Sequence, residues 1–141
     1  MAASERFLLA PDRRAVREAR LHVRGFDELP REAGANAELV VSELVANSVL
    51  HARMGPGDLI EVTLRREPSR LVIEVADGGG FSRRPGSKGG WGFKVLDAVC
   101  EGWSAEAGRV SASITIVGGG AADADTEGRR LLRRPLGRAR L

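Results

Sequence analysis

A glutamate and an asparagine interrupt the apolar side of one predicted helix. The apolar spacing predicts this helix from Arg31 to about residue 54, and Glu43 and Asn47 lie on it one turn apart, beside Val40 and Leu50. A buried carboxylate without a partner is costly, so the pair is expected to meet a cavity, a metal or a ligand. A carboxylate suits proton transfer, and an amide oxygen suits a hard cation. The alternative is structural, with both side chains capping a loop or pairing with an arginine.

A second polar position lies where a predicted strand ends. Asp77 follows the apolar alternation of Leu71, Ile73 and Val75, and residues 78–80 are three glycines. An aspartate here can accept hydrogen bonds from a ligand that approaches the glycine backbone closely. The alternative is an ordinary Asp-Gly turn.

A third feature is the glycine-rich entry into a predicted helix that runs from Trp91 to about Cys100. Gly89, Gly90 and Gly92 lie at its start, where free backbone N–H groups and the helix dipole favour an anion such as phosphate. The alternative is a flexible connection. The sequence contains no Gly-Lys-Ser/Thr motif, and the stretch lacks the third glycine of a dinucleotide fingerprint.

The elements that must position these residues follow from periodicity and turn residues. The predicted order is a strand, two helices, a hairpin, a glycine-rich loop, a third helix and a second hairpin. The predicted bounds are 7–9 for the first strand, a helix starting at Pro11-Asp12 and ending before Pro30, hairpin strands around 60–64 and 71–75, and closing strands at 103–106 and 110–117. Consecutive strands favour antiparallel pairs, so the sequence predicts an α+β two-layer sandwich with three helices on one face.

The charge is unevenly distributed along the chain. The 141 residues carry a net charge of +3 and a pI near 9.9, yet residues 118–141 hold six arginines against three acidic residues, and residues 1–117 balance to zero. We therefore predict a domain at 1–117 and a disordered basic tail at 118–141. A solvated tail is favoured over a nucleic-acid site, because no aromatic residue lies among its arginines.

Other totals exclude several classes of protein. No apolar run approaches the roughly 18 residues of a membrane-spanning helix, and the first residues lack the order of a secretion signal. Cys100 is the single cysteine, so no intramolecular disulfide can form, and a cytoplasmic location is the simple interpretation. One cysteine and two separated histidines argue against a structural zinc site.

The three polar features, taken in order, resemble the Bergerat-fold (GHKL) ATPases. Within that superfamily the chain looks most like the anti-sigma-factor serine kinases and their histidine-kinase-like relatives. Residues 38–52 resemble the asparagine box of that group, and residues 89–97 resemble its second glycine box. The resemblance covers about residues 5–117 and implies a mixed, mostly antiparallel sheet. One departure is Phe81, which stands where the first glycine box usually has its last glycine.

The resemblance implies a role for each polar residue. Glu43 would be the general base, Asn47 would hold Mg²⁺ against the ATP phosphates, and Asp77 would accept a hydrogen bond from the adenine amino group. His51 would belong to the asparagine box rather than serve as a phosphate acceptor. The chain also lacks a separate helix pair with an acceptor histidine, so an autophosphorylating histidine kinase is rejected.

The glycines complete the expected nucleotide site. By the same resemblance, Gly79 would let the backbone approach the base, and Gly90 and Gly92 would present N–H groups to the phosphates. Residues 80–88 would form a short lid. Lys88 is a candidate phosphate ligand within that lid, although a solvated lysine is an equal alternative.

The expected function is that of an ATP-binding serine-protein kinase. It would phosphorylate a serine of an anti-sigma-factor antagonist of the STAS type and bind a sigma factor, with a homodimer left open. An alternative from another class is a nucleotide-gated binding module, in which ATP sets partner affinity without phosphate transfer.

Overall fold

Five strands and three helices make up the part of the chain that the computed structural model describes, which is residues 3–51, 55, 57–77, 91–106 and 108–117. In chain order they are β1 (Ser4–Leu9), α1 (Ala15–Gly25), α2 (Arg31–His51), β2 (Ile60–Glu67), β3 (Arg70–Ala76), α3 (Trp91–Val99), β4 (Gly102–Glu106) and β5 (Arg109–Thr115). Both predicted hairpins and all three predicted helices are present. Residues 52–54, at the predicted end of α2, lie outside the described part, as do residues 118–141.

The strands form one sheet in the order β1-β2-β3-β5-β4. The α+β prediction is confirmed, but the expectation of a mixed sheet is wrong for the described strands, because all four neighbouring pairs are antiparallel. β5 lies beside β3, and β4 forms the edge, although β4 comes first in the chain. Among the described strands, β4 is therefore paired along one edge only.

One face of the sheet carries the core. The register places Val62 opposite Val75 and Leu64 opposite Ile73, and all four side chains are buried. The alternation of β2 and β3 predicts this arrangement, because residues two apart share a face. α2 lies centrally in the helical layer, where it contacts α1, α3, β3 and β5. α2 can therefore carry site residues against the sheet.

The first helix begins later than predicted. The chain bends at Pro11 and Asp12, the Ala15 N–H closes a turn by donating to the Asp12 carbonyl at 3.0 Å, and the helix starts at Ala15. The Asp12 Oδ1 atom accepts a hydrogen bond of 2.8 Å from the Arg14 backbone N–H, and this bond lowers the pKa of the Asp12 carboxyl. Asp12 thus stabilises the turn before the helix rather than the first helical turn.

Two side-chain contacts join α1 to α2. The Arg20 Nε atom donates to the Ser42 Oγ atom at 2.7 Å, and Arg24 donates to both carboxylate oxygens of Glu38 at 3.1 Å. Beneath them, Ala15, Ala19 and Val23 are buried on the inner side of α1. No helix in the described part of the chain is long and apolar enough to cross a membrane.

Candidate functional site

The central helix carries two of the predicted site residues. Val40 and Leu44 of α2 are buried in the core, and they hold the helix against the sheet. Glu43 and Asn47 are half-buried, and the four-residue spacing places them one above the other on the helix. Both polar side chains are therefore at the margin of the core rather than on the fully exposed side of α2.

Asp77 directly follows β3 and is fixed by the backbone of a neighbouring turn. Its side chain is only 3% exposed, and the strand alternation places it on the same face as Ile73 and Val75. The Asp77 backbone N–H donates to the Gly108 carbonyl at 3.1 Å. Gly108 lies between β4 and β5 with a φ of +81°, a conformation that favours glycine. The β4–β5 turn thus holds the aspartate in place.

A small cavity brings α2 and Asp77 together. Asn47, Ser48 and Asp77 line this cavity, and its volume is about 10 Å³, close to that of one water molecule. The remaining lining comes from Leu44, Val75, Arg109 and Val110. Polar groups from the helix and the strand therefore converge at one end of an otherwise apolar interface. The described residues form only one wall of any site that would hold a larger ligand.

Ser48 is a site residue that the sequence reasoning missed. It is 6% exposed and lines the cavity beside Asp77. Its spacing of four residues from buried Leu44 gives the signal that could have identified it, because that spacing places a hydroxyl on the core side of α2. A buried hydroxyl needs a hydrogen-bond partner, and Ser48 adds such a group to the converging set.

A cation beside Asn47 would need further oxygen atoms from a bound small molecule, such as phosphate oxygens. The described residues contain no group of three or more histidine, cysteine, aspartate or glutamate side chains that could hold a metal ion. Mg²⁺, however, is commonly held by one or two protein oxygens together with substrate phosphates and water. The amide oxygen of Asn47 is a donor of that kind, so the donor chemistry fits Mg²⁺ bound with a phosphorylated ligand and not Mg²⁺ alone.

The third predicted helix starts where the glycine pattern placed it. α3 begins at Trp91, and Gly92 is its second residue. Backbone N–H groups in the first turn of a helix have no partner within the helix, so this end of α3 is suited to an anion. The predicted site residues Gly79, Lys88 and Gly90 lie outside the described residues, and so does the side chain of His51.

Cys100 is excluded as a nucleophile by its surroundings. It follows α3, is 2% exposed, and its backbone N–H donates to the Leu96 carbonyl at 2.9 Å. Burial, together with the nearby charges of Asp97 and Glu101, raises the pKa of the Cys100 thiol to about 12. The thiol is therefore protonated at neutral pH, and only a thiolate would be reactive.

Comparison with known families places most of the chain in a described domain family. A family model described as the histidine kinase-like ATPase domain matches residues 9–101, which is more than half of the chain. The matched segment begins at the end of β1 and includes Glu43, Asn47, Asp77 and all of α3. No curated protein matches the chain significantly.

Proposed function

The chain belongs to the histidine kinase-like ATPase domain family, and we propose that it is a regulatory protein kinase of the anti-sigma-factor type. Family membership implies ATP binding. The finer proposal is that the γ-phosphate passes to a serine of a STAS-type antagonist, and that the protein also binds a sigma factor. The observation that supports it best is the shared cavity of Asn47 and Asp77, with Glu43 one helical turn away.

In this proposal Asp77 recognises the base. A carboxylate only accepts hydrogen bonds when ionised, so it complements the exocyclic amino group of adenine. The bond from the Asp77 N–H to the Gly108 carbonyl fixes the backbone from which the carboxylate projects. The base is thereby selected by a group that is already in position before the nucleotide arrives.

Asn47 and the start of α3 hold the phosphates. Asn47 would provide an amide oxygen to Mg²⁺, which when bound neutralises phosphate charge during transfer. The N–H of Gly92, in the first turn of α3, would donate to a phosphate oxygen. We include Gly79, Gly90 and Lys88 in the proposed site on the glycine-box resemblance alone.

Glu43 would act on the acceptor. As the serine Oγ bonds to the γ-phosphorus and the bond to the ADP leaving oxygen breaks, Glu43 accepts the hydroxyl proton. The half-buried position of its side chain allows contact with an incoming protein. General bases of this kind contribute about 10²–10⁴-fold to a rate.

Calorimetric titration with ATP and ADP, each with and without Mg²⁺, tests nucleotide binding. The wild-type chain should bind both, and Mg²⁺ should raise the affinity for ATP. Asn47→Ala should lose most of that Mg²⁺-dependent gain. Asn36→Ala is the matched control, since Asn36 is half-buried on the same helix and outside the cavity lining, and it should keep the gain. Absence of ATP binding by the wild-type chain would refute the proposal.

Labelled ATP with purified STAS-type antagonists tests phosphate transfer. The wild type should label an antagonist serine, and Glu43→Gln should slow transfer about 10²–10⁴-fold while ATP affinity is kept. Glu32→Gln, an exposed change on the same helix, should transfer normally. Binding of ATP and antagonist without transfer by the wild type would instead favour a nucleotide-gated binding module.

A further inference from the structure

Two exposed leucines border a groove between the edge strand β1 and helix α1. Leu8 of β1 is 50% exposed on the face of the strand opposite buried Phe7 and Leu9, and Leu21 of α1 is 52% exposed on the helical side. Both line a cavity of about 320 Å³ beside β1, which is an edge strand of the sheet. The groove is on a different part of the molecule from the Asn47–Asp77 cavity, because the two sets of lining residues share no member.

The groove has acidic walls and a fixed floor. Glu5 and Glu18 are among its lining residues, and the residues that line it include no arginine or lysine in the described part of the chain. The Nδ1 atom of His22 lies 2.7 Å from a carboxylate oxygen of Glu5. The ring of His22 also stacks on Phe7, with centroids 3.8 Å apart and planes 7° apart. These contacts join α1 to β1 beside the groove, whose two acidic and two exposed apolar residues suit an apolar and basic ligand.

One segment of the same chain has the matching chemistry. Residues 129–134 read Arg-Arg-Leu-Leu-Arg-Arg, two leucines between two pairs of arginines. We propose that this segment binds the groove of its own molecule. In an extended segment along the edge of β1, neighbouring side chains point to opposite faces, so one of Leu131 and Leu132 would cover Leu8 and the other would cover Leu21. The flanking arginines would lie near Glu5 and Glu18. The basic tail would then have a specific contact in place of full solvation.

The connecting chain is long enough for this contact. Thr115 pairs with Arg70 at the end of the sheet where Ser4 pairs with Arg65, so β5 ends near the beginning of β1. Two strands separate β5 from β1, which gives a distance of roughly 15 Å at about 4.8 Å per strand spacing. The 14 steps from Val117 to Leu131 can span up to roughly 46 Å.

Tethering favours this segment over a free partner. A segment tethered to the domain that carries its binding site has an effective concentration of about a millimolar there. A contact of modest affinity is therefore formed within one molecule without help from a second protein. The contact is independent of the proposed kinase activity and can be tested without nucleotide.

Limited trypsin cleavage of the full chain tests the contact, because trypsin cleaves after arginine and mass spectrometry locates each cut. Bound arginines should be protected, so the Leu8→Ser/Leu21→Ser variant should be cut within residues 129–134 about tenfold faster than the wild type. Leu131→Ser/Leu132→Ser should show the same acceleration from the other side of the contact. All four positions are exposed or in the tail, and circular dichroism checks that each variant is folded.

Leu39→Ser is the matched control, since Leu39 is 41% exposed on α2 and outside the groove lining. It should be cut at the wild-type rate. Equal cutting of the wild type and both double variants would refute the proposal. Protection that increases with protein concentration would also refute binding within one molecule and would assign the groove to the tail of a second copy.

Discussion

The two faces of the sheet have opposite chemistry although they belong to the same five strands. The covered face is apolar across neighbouring strands, as in the pairs Val62–Val75 and Ile73–Ala112. The open face carries ion pairs between strands and turns. These pairs are Arg6–Glu61, Arg65–Glu67, Arg70–Glu67, Arg70–Glu101 and Arg109–Glu74. The carboxylates of Glu61, Glu67, Glu74 and Glu101 thus have arginine partners, and their access to water explains their presence there.

The difference shows which polar residues need a functional explanation. A charged residue on the open face remains near water and contributes little to stability. Asn47, Ser48 and Asp77 instead lie on the covered side, where desolvation is costly unless a partner compensates. Polar groups on the covered face are therefore the ones to examine for a ligand.

The largest expected difference between the faces is in stability. Ile73→Ala removes a fully buried side chain, and we expect a loss of about 2–5 kcal/mol in the free energy of unfolding. Thr63→Ala, on the open face of the adjacent strand, should change it by less than about 0.5 kcal/mol. Urea unfolding measures both. Equal losses would mean that the open face is covered by another surface in solution.

Local sequence patterns predicted the helices and the hairpins. They did not predict the strand order, because it depends on pairing between residues that are distant in the sequence. Alternation in β2 and β3 predicts their hairpin, and Gly108 marks the turn of the second one. The strand order was not predictable in the same way. Placing β5 beside β3 depends on contacts between distant residues, which a local period does not encode. The start of α1 was placed too early, because the bond from Arg14 to Asp12 favours a turn there.

The site could be predicted where a polar residue breaks an apolar pattern. Glu43, Asn47 and Asp77 each interrupt a periodic run, and the structure brings Asn47 and Asp77 to one cavity. Ser48 was missed, because a serine within a helix is common and only burial distinguishes this one. The roles of all the predicted site residues stay predictions, and Gly79, Lys88 and Gly90 also lie outside the described part of the chain.

Asp77 and Glu74 are acidic residues only three positions apart, but they lie on opposite faces of the sheet. Asp77→Asn should weaken ATP binding about 10–100-fold, because hydrogen bonds to a charged group contribute about 1.5–3 kcal/mol. Glu74→Gln lies on the open face of β3 and pairs with Arg109, so it should leave ATP affinity unchanged. Calorimetric titration measures both affinities. If Glu74→Gln also weakened ATP binding, the nucleotide site would not be confined to the covered face.

The two regions should also differ in how their stability responds to pH. Burial raises the folded-state pKa of Cys100 from its ordinary 9.0 to about 12. Between these values the unfolded chain releases a proton that the folded chain keeps, so stability falls as the pH rises, by up to about 1.4 kcal/mol per pH unit. Urea unfolding at increasing pH should show this loss in the wild type and not in Cys100→Ala.

The open face should respond in the opposite direction. Hydrogen bonds from Arg70 and Arg65 lower the pKa of Glu67 below its ordinary value of 4.5. Its contribution to stability is therefore present above that value and is lost as the pH falls through the folded-state pKa. Because Glu67 is at the surface, Glu67→Gln should change acid unfolding only slightly. The Cys100 prediction has a separate test. If the Cys100 thiol of the folded chain reacted with a disulfide reagent at neutral pH, Cys100 would not be buried, and the expected loss of stability at alkaline pH would be contradicted.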